Sequence, residues 1–297
     1  MKRKEKGIDK IFTVVNYFVL SLLFVLVAYP LLYVLSSSFS SASAIIQGKV
    51  VFLPVEFTFK GYKAVFAYKS IVSGFLNSFF YMGVGTTLNI ILTIMIAYPL
   101  SRKDLLGAKI VVGMLVFAMI FNAGLIPNYM LIKELGLMDT RAVMIIPKAL
   151  NVWNVIITIT YFKVSMPESL LEASKIDGCD DFNFIRIVVI PLSKPIIAVI
   201  MLFYAVEHWN SFFDAMLYIH NTEYRPLQIV LREILVQNQL SMDMLTSIDP
   251  KMLVAKANLA VLLKYSLIII SSLPLILLYP FVQKHFVKGI MVGSIKG

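Results

Sequence analysis

Between two long apolar segments, the chain reads SMPESLLEASKIDGCDDFNFIRIVVIPLSKP from Ser165 to Pro195. This insert is polar and rich in turn-forming residues. Its carboxylates are Glu168, Glu172, Asp177, Asp180 and Asp181. Because charged side chains are costly inside a bilayer, the insert must lie outside any membrane that the apolar segments cross.

The flanking sequence has the composition of an integral membrane protein. Hydrophobic residues make up 59% of the 297 residues and charged residues 15%, and the mean hydropathy is +0.83. Soluble domains average about half apolar and a quarter charged. A membrane-crossing helix needs about 20 mostly apolar residues. The sequence therefore predicts an all-α integral membrane protein with six transmembrane helices, at about 11–35, 73–100, 108–132, 141–163, 195–220 and 262–283.

Positive charge near the span ends predicts the orientation. Lys and Arg accumulate on cytoplasmic loops, and their distribution here favours a multi-pass membrane protein with both termini in the cytoplasm. The same distribution explains the net charge of +10 without a nucleic-acid partner. The predicted divisions are a cytoplasmic N-terminus at 1–10, a transmembrane domain at 11–288 with the insert as a cytoplasmic loop at 164–195, and a cytoplasmic tail at 289–297. The first apolar run is too long for a signal peptide, so it is expected to remain as a span.

Local signals predict two short helices in the insert. Ser165 and Glu168 have the spacing of a capping box, which would start a helix that ends near Gly178 in a left-handed cap. Asp180 or Asp181 can cap a second helix, and Pro191 marks the approach to the fifth span. From the residues alone, this loop is either a docking surface or an amphipathic segment lying on lipid headgroups.

The loop is similar to the EAA loop of ABC-importer permeases. That pattern is Glu-Ala-Ala, three residues, Gly, nine residues, then Ile-x-Leu-Pro. Here it reads Glu172-Ala173-Ser174, Gly178 and Val188-Val189-Ile190-Pro191. The segments GLIPNYMLIKELGLMDT (124–140) and FYAVEHWNSFFDAMLYI (203–219) resemble the maltose-type carbohydrate permeases. Within that group, the chain resembles most the second permease of systems for complex oligosaccharides.

The resemblance implies a type I ABC-importer permease of the bacterial cell membrane that supplies half of an oligosaccharide path. Its coupling helix would sit in a cleft of a separate ATPase and transmit ATP-driven closure to the spans. The residues expected to serve this coupling are Glu168, Leu171, Glu172, Ala173, Ser174, Asp177, Gly178 and Pro191.

The implied partners are a second homologous permease, two cytoplasmic ATPase subunits, an extracellular solute-binding protein, the oligosaccharide and membrane lipid. The sequence contains no G-x-x-x-x-G-K-[ST] phosphate loop, so ATP is expected on the partner ATPases and no cofactor on this chain. His208, His220 and His285 lie on different segments, which argues against a metal site or a catalytic triad. The chain is therefore not expected to be an enzyme.

The fifth predicted span carries polar residues. Glu207, Asn210 and Asp214 have the spacing i, i+3, i+7 and are expected to share one helical face. Either they line the sugar path, with Tyr204 and Trp209 stacking on sugar rings, or they form a packing network between spans. Two unpaired charges at mid-membrane would cost roughly 5–7 kcal/mol on insertion scales, so they must be paired or face water.

Two alternatives remain open at this stage. An ion-coupled secondary carrier would use Glu207 and Asp214 as its proton or cation sites. An ABC importer for a solute other than a sugar would keep the same loop, because the EAA pattern indicates an ATPase partner and does not identify the solute.

Overall fold

The computed structural model describes residues 7–121, 123–243 and 250–293. Every regular element in these ranges is helical, so the all-α prediction is confirmed. The first six residues and the last four, which belong to the predicted cytoplasmic termini, lie outside the described residues. The helices are α1 (Gly7–Ser38), α2 (Ala42–Ile46), α3 (Lys60–Ala67), α4 (Lys69–Ser101), α5 (Ala108–Ile120), α6 (Leu125–Glu134), α7 (Val152–Ser165), α8 (Glu168–Ile176), α9 (Asp181–Phe184), α10 (Ile190–Leu192), α11 (Lys194–Trp209), α12 (Phe212–Tyr218), α13 (Leu227–Asp243) and α14 (Pro250–Gly293).

Within the described residues, three helical segments are long and apolar enough to cross a membrane: 10–38, 69–101 and 254–280. Three further pairs of helices meet the same criteria together, but each pair is bent at a short break. The bends are 111° between α5 and α6, 47° between the 3₁₀ turns at 141–148 and α7, and 83° between the segment 181–192 and α11. Three to six segments therefore have the length and composition of a span, as expected for a multi-pass membrane protein.

The predicted fifth span is not one helix. α11 ends at Trp209, and α12 begins at Phe212. The Ser211 hydroxyl donates to the carbonyl of His208 (2.7 Å), and this carbonyl would otherwise accept the helical N–H of Phe212. That N–H turns to the carbonyl of Asn210 instead (2.8 Å). Local side-chain competition of this kind interrupts helices, so the prediction that Glu207, Asn210 and Asp214 share one face of one helix is wrong.

The chain divides into two compact units. The first comprises Met1–Lys69 and Leu231–Ser272. In this unit, α2 and Val50 pack with Leu262, and the rings of Phe39, Phe57, Phe59 and Tyr62 form an aromatic cluster.

The second unit comprises Ser70–Val230 and Leu273–Gly297. A hydrophobic core in this unit joins α4, α7 and α11 to the central loop. Buried members of this core are Ala97, Tyr98, Leu100, Val155, Ile159, Phe162, Phe184, Val189, Ile196, Ile200 and Tyr204. Phe184 and Val189 belong to the loop of 164–195, so the loop is anchored in the same core as the long helices.

Candidate functional site: the central loop and the polar network of the second unit

The first short helix of the loop ends as predicted. α8 is followed by Asp177 and then by Gly178, whose φ is +73°. The N–H of Gly178 donates to the carbonyl of Lys175 (3.1 Å), and the N–H of Cys179 donates to that of Ser174 (2.9 Å). These two bonds are those of a Schellman cap. They require a left-handed residue at position 178, where glycine costs least.

The start of the same helix differs from the prediction. Ser165 is the last residue of α7, and α8 begins at Glu168 after Pro167, which makes no side-chain cap. The predicted capping box is therefore wrong. The apolar helix α7 continues through Ser165, so this serine does not cap the next helix. The second predicted cap is confirmed: the Asp180 carboxylate accepts the N–H of Asn183 at 2.7 Å.

The loop presents an exposed surface. Of the predicted coupling residues, Glu168, Glu172, Ala173, Asp177, Gly178 and Pro191 are exposed, and Leu171 and Ser174 are half-buried. The side chains of Ile176 and Phe182 beside them are 87% and 74% exposed. An amphipathic surface that combines carboxylates with large exposed apolar residues is typical of a site that another protein covers.

Ion pairs connect this loop to the segment that follows α4. The Arg102 guanidinium donates two hydrogen bonds to the Asp104 carboxylate (2.8 and 2.5 Å) and one to Asp181 at 2.7 Å. Lys103 pairs with Glu168 at 2.9 Å. The arginine holds the pKa of Asp104 down at about 2, and the hydrogen bond to Glu168 raises the pKa of Lys103. Both helices of the loop are thus tied to residues 102–104, which sequence reasoning did not connect with the loop.

A cavity of about 1020 Å³ lies beside these ion pairs. Its walls are the C-terminal end of α4, the start of α5 and the junction between α7 and α8, and Arg102, Lys103, Glu168 and Leu171 are among its lining residues. Three residues of the ion pairs, Arg102, Lys103 and Glu168, therefore line this open space.

Tyr204 and Trp209 are buried in the second unit. The Tyr204 hydroxyl bonds the Thr93 hydroxyl at 2.8 Å and accepts the N–H of Asn151 at 3.3 Å. The Trp209 ring lies 5.9 Å from that of Phe75 and 5.2 Å from that of Phe79. Both side chains therefore pack between helices in this conformation, and their expected role on the sugar path stays a prediction.

The polar residues near the helix break have different environments. Glu207 is half-buried, Asn210 is exposed, and Asp214 forms an ion pair with Lys148. Lys148 was not among the sequence-based candidates, although it lies within the fourth predicted span. No group of three or more His, Cys, Asp or Glu side chains that could hold a metal occurs in the ranges that the structure describes.

Three comparisons place this geometry among known proteins. No protein-family model matches the chain. The chain is 35% identical to the polygalacturonan/rhamnogalacturonan transport system permease protein YtcP of Bacillus subtilis, over 97% of this chain and 99% of that protein. It is 36% identical to Protein LplC of the same organism, over 97% and 96% of the two chains.

A solved structure shares the fold. It is a chain of a bacterial ABC transporter involved in the import of the acidic polysaccharide alginate. The match covers 96% of this chain and 100% of that one, with 32% identity and a TM-score of 0.85. Together, these similarities over nearly the whole length show that the chain belongs to the family of sugar ABC-transporter permeases.

Proposed function

We propose that this chain is one permease subunit of an ATP-driven oligosaccharide importer, with six spans and both termini in the cytoplasm. It works with a second, homologous permease, two ATPase subunits and an external binding protein, and ATP binds only to the ATPases. Its own role is to provide half of a gated path and the joint that couples the path to ATP. The names of its relatives, which include carriers of polygalacturonan and of alginate, support a carbohydrate cargo.

One observation carries the coupling role. The loop of 164–195 exposes Ile176 and Phe182, while Phe184 and Val189 of the same loop are buried against α4, α7 and α11. A partner that moves the exposed surface therefore moves a segment packed into the helical core. Such a rigid connection suits the domain movements by which transporters alternate their access. The coupling residues belong to α8 and its cap, followed by one proline: Glu168, Leu171, Glu172, Ala173, Ser174, Asp177, Gly178 and Pro191.

We assign fewer residues to the wall of the substrate path than the sequence alone suggested. Glu207, Asn210 and Asp214 are the members of the predicted set whose side chains are not fully buried. We assign them to the path because polar side chains in membrane-crossing segments face a wet cavity or a partner. Tyr204 and Trp209 are assigned to the support of that path.

The test is purification of the tagged chain from its native membrane, followed by reconstitution of the complex in vesicles. We expect an ATPase and a second permease to accompany the chain. Uptake of an oligosaccharide should require ATP and the binding protein, and it should persist when ionophores collapse the ion gradients.

Other outcomes would contradict the proposal. A chain that transports alone without ATP, and stops when the ion gradient collapses, is the secondary carrier. An ATP-dependent complex that takes up only a non-sugar solute would retain the coupling role and remove the carbohydrate cargo.

A further inference from the structure

Two broken helices bring one cation and one anion together in the second unit. Lys148 ends the 3₁₀ turn Ile146–Lys148, at the 47° break before α7. Asp214 lies in α12, just beyond the break at Asn210. Their side chains form an ion pair, and 23% of the lysine side chain and 26% of the aspartate side chain remain exposed. Secondary transporters commonly place their substrate and ion sites at such discontinuous helices.

The backbone of Lys148 is held independently of this ion pair. The Asn89 side-chain amide donates to the carbonyl of Lys148 at 2.5 Å. The carbonyl oxygen of the same Asn89 side chain lies 3.0 Å from Nε2 of His208. Asn89 and His208 are fully or almost fully buried. The position of Lys148 is therefore fixed by a buried amide network, and Asp214 is not needed to fix it.

Folding stability alone does not explain this ion pair. A pair that is removed from water repays little of its desolvation, and apolar side chains of similar size are often equal or better. Charges within membrane-crossing segments are uncommon and mark a functional site by default. About a quarter of each side chain remains exposed, so neither member of the pair is fully buried.

We propose that Lys148 binds a carboxylate of an acidic oligosaccharide during its passage, and that Asp214 forms the ion pair with Lys148 when no sugar is present. This inference rests on the proposed importer function and names its substrate class, sugars that carry uronate groups. An ammonium group has three donors, so it can exchange one carboxylate for another without being left unpaired. A neutral sugar has no group that can replace Asp214 in this way.

We expect substitutions of the two partners to change sugar uptake in different ways. Lys148→Met removes the group that receives the sugar and leaves Asp214 to repel it. Asp214→Asn removes the competitor and leaves the cation. A purely structural pair would respond to both changes alike, and neutralising both residues together would repair it.

The experiment uses the whole reconstituted importer with its binding protein, and trigalacturonate and the neutral trisaccharide raffinose as probes. We expect Lys148→Met to lower ATP-driven trigalacturonate uptake about tenfold to a hundredfold, the loss typical of a hydrogen bond to a charged group. Asp214→Asn should increase that uptake, because the carboxylate that competes for Lys148 is removed, and Lys148→Arg should retain part of the wild-type uptake. The double variant Lys148→Met/Asp214→Asn should assemble in normal amounts and still fail with trigalacturonate.

The possible failures can be told apart. Recovery of trigalacturonate uptake in the double variant would overturn the inference and make the pair structural. A wild-type importer that carries raffinose and refuses trigalacturonate would also overturn it, while the proposed function would stand. A wild-type complex that carries no sugar under ATP would refute the proposed function itself.

Discussion

Gly178 offers the sharpest test of the coupling loop. A Cβ built at this position meets nothing within 4 Å, so a side chain is opposed only by the backbone φ of +73°. The left-handed conformation costs an ordinary L-residue roughly 1–2 kcal/mol, which shifts a local equilibrium by a factor of about 5–30. We therefore expect Gly178→Ala to lower ATP-driven uptake by about that factor, with a normal amount of protein in the membrane.

Two isosteric variants separate backbone strain from docking. Asn and Asp enter the left-handed region more readily than other residues, so Gly178→Asn should retain most of the uptake. Gly178→Asp adds a charge to the exposed surface that the ATPase would cover, and the cost of desolvating that charge should abolish uptake. Gly136→Ala is the control, because Gly136 has a φ of +66° and equally open space but lies outside the loop. Uptake and the amount of protein in the membrane are measured together, and normal uptake by Gly178→Asp would show that no ATPase covers the surface at this position.

Two further predictions concern the core of the second unit and the ion pairs of the loop. A Cβ on Gly85 would overlap the ring of buried His208, whereas one on Gly83 in the same helix meets nothing within 4 Å. Gly85→Ala should therefore destabilise the protein by about 1–3 kcal/mol and lower its thermal unfolding temperature in detergent. Equal unfolding temperatures for Gly85→Ala and Gly83→Ala would contradict this packing. Arg102→Gln should lower the sugar imported per ATP hydrolysed, because it releases Asp104 and the second helix of the loop. The folded-state pKa of Asp104 is about 2, below its ordinary value of 3.8, so the stabilisation by its ion pair with Arg102 is fully present above the ordinary pKa and is lost only as the pH falls through about 2. The ratio of wild-type to variant coupling should therefore stay constant between about pH 5 and about pH 8. A ratio that drifts within this range would show that another group controls the loop.

Features with a local cause could be predicted from the sequence. The left-handed cap at Gly178 and the cap at Asp180 depend on residues within one helical turn, and both are present. The prediction of a capping box at Ser165 was wrong because this serine could either cap α8 or continue α7, and the longer apolar helix α7 included it. The break after Trp209 had a local signal in Ser211, but the apolar residues on both sides favoured a continuous span.

The remaining features depend on contacts between distant segments. Arg102 and Asp181 are separated by 79 positions, and no pattern along the chain relates them. Lys148 was one basic residue within an apolar stretch until the fold placed it beside Asp214. The burial of Tyr204 and Trp209 likewise follows from the packing of α11 against α4, so the sequence could present them only as residues for either packing or binding.

The most direct test of the coupling claim uses Cys179, the single cysteine of the chain, which follows Gly178 and is half-buried. A thiol-linked photo-crosslinker on Cys179 is activated in the purified, active importer, and the partner joined to the Cys179 peptide is identified by mass spectrometry. The control is Cys179→Ser with Leu53→Cys, which moves the probe to an exposed site far from the loop along the chain.

We expect a crosslink between Cys179 and the ATPase subunit, and none to the ATPase from the control position. A fully active importer in which Cys179 reaches only lipid or the second permease would contradict it.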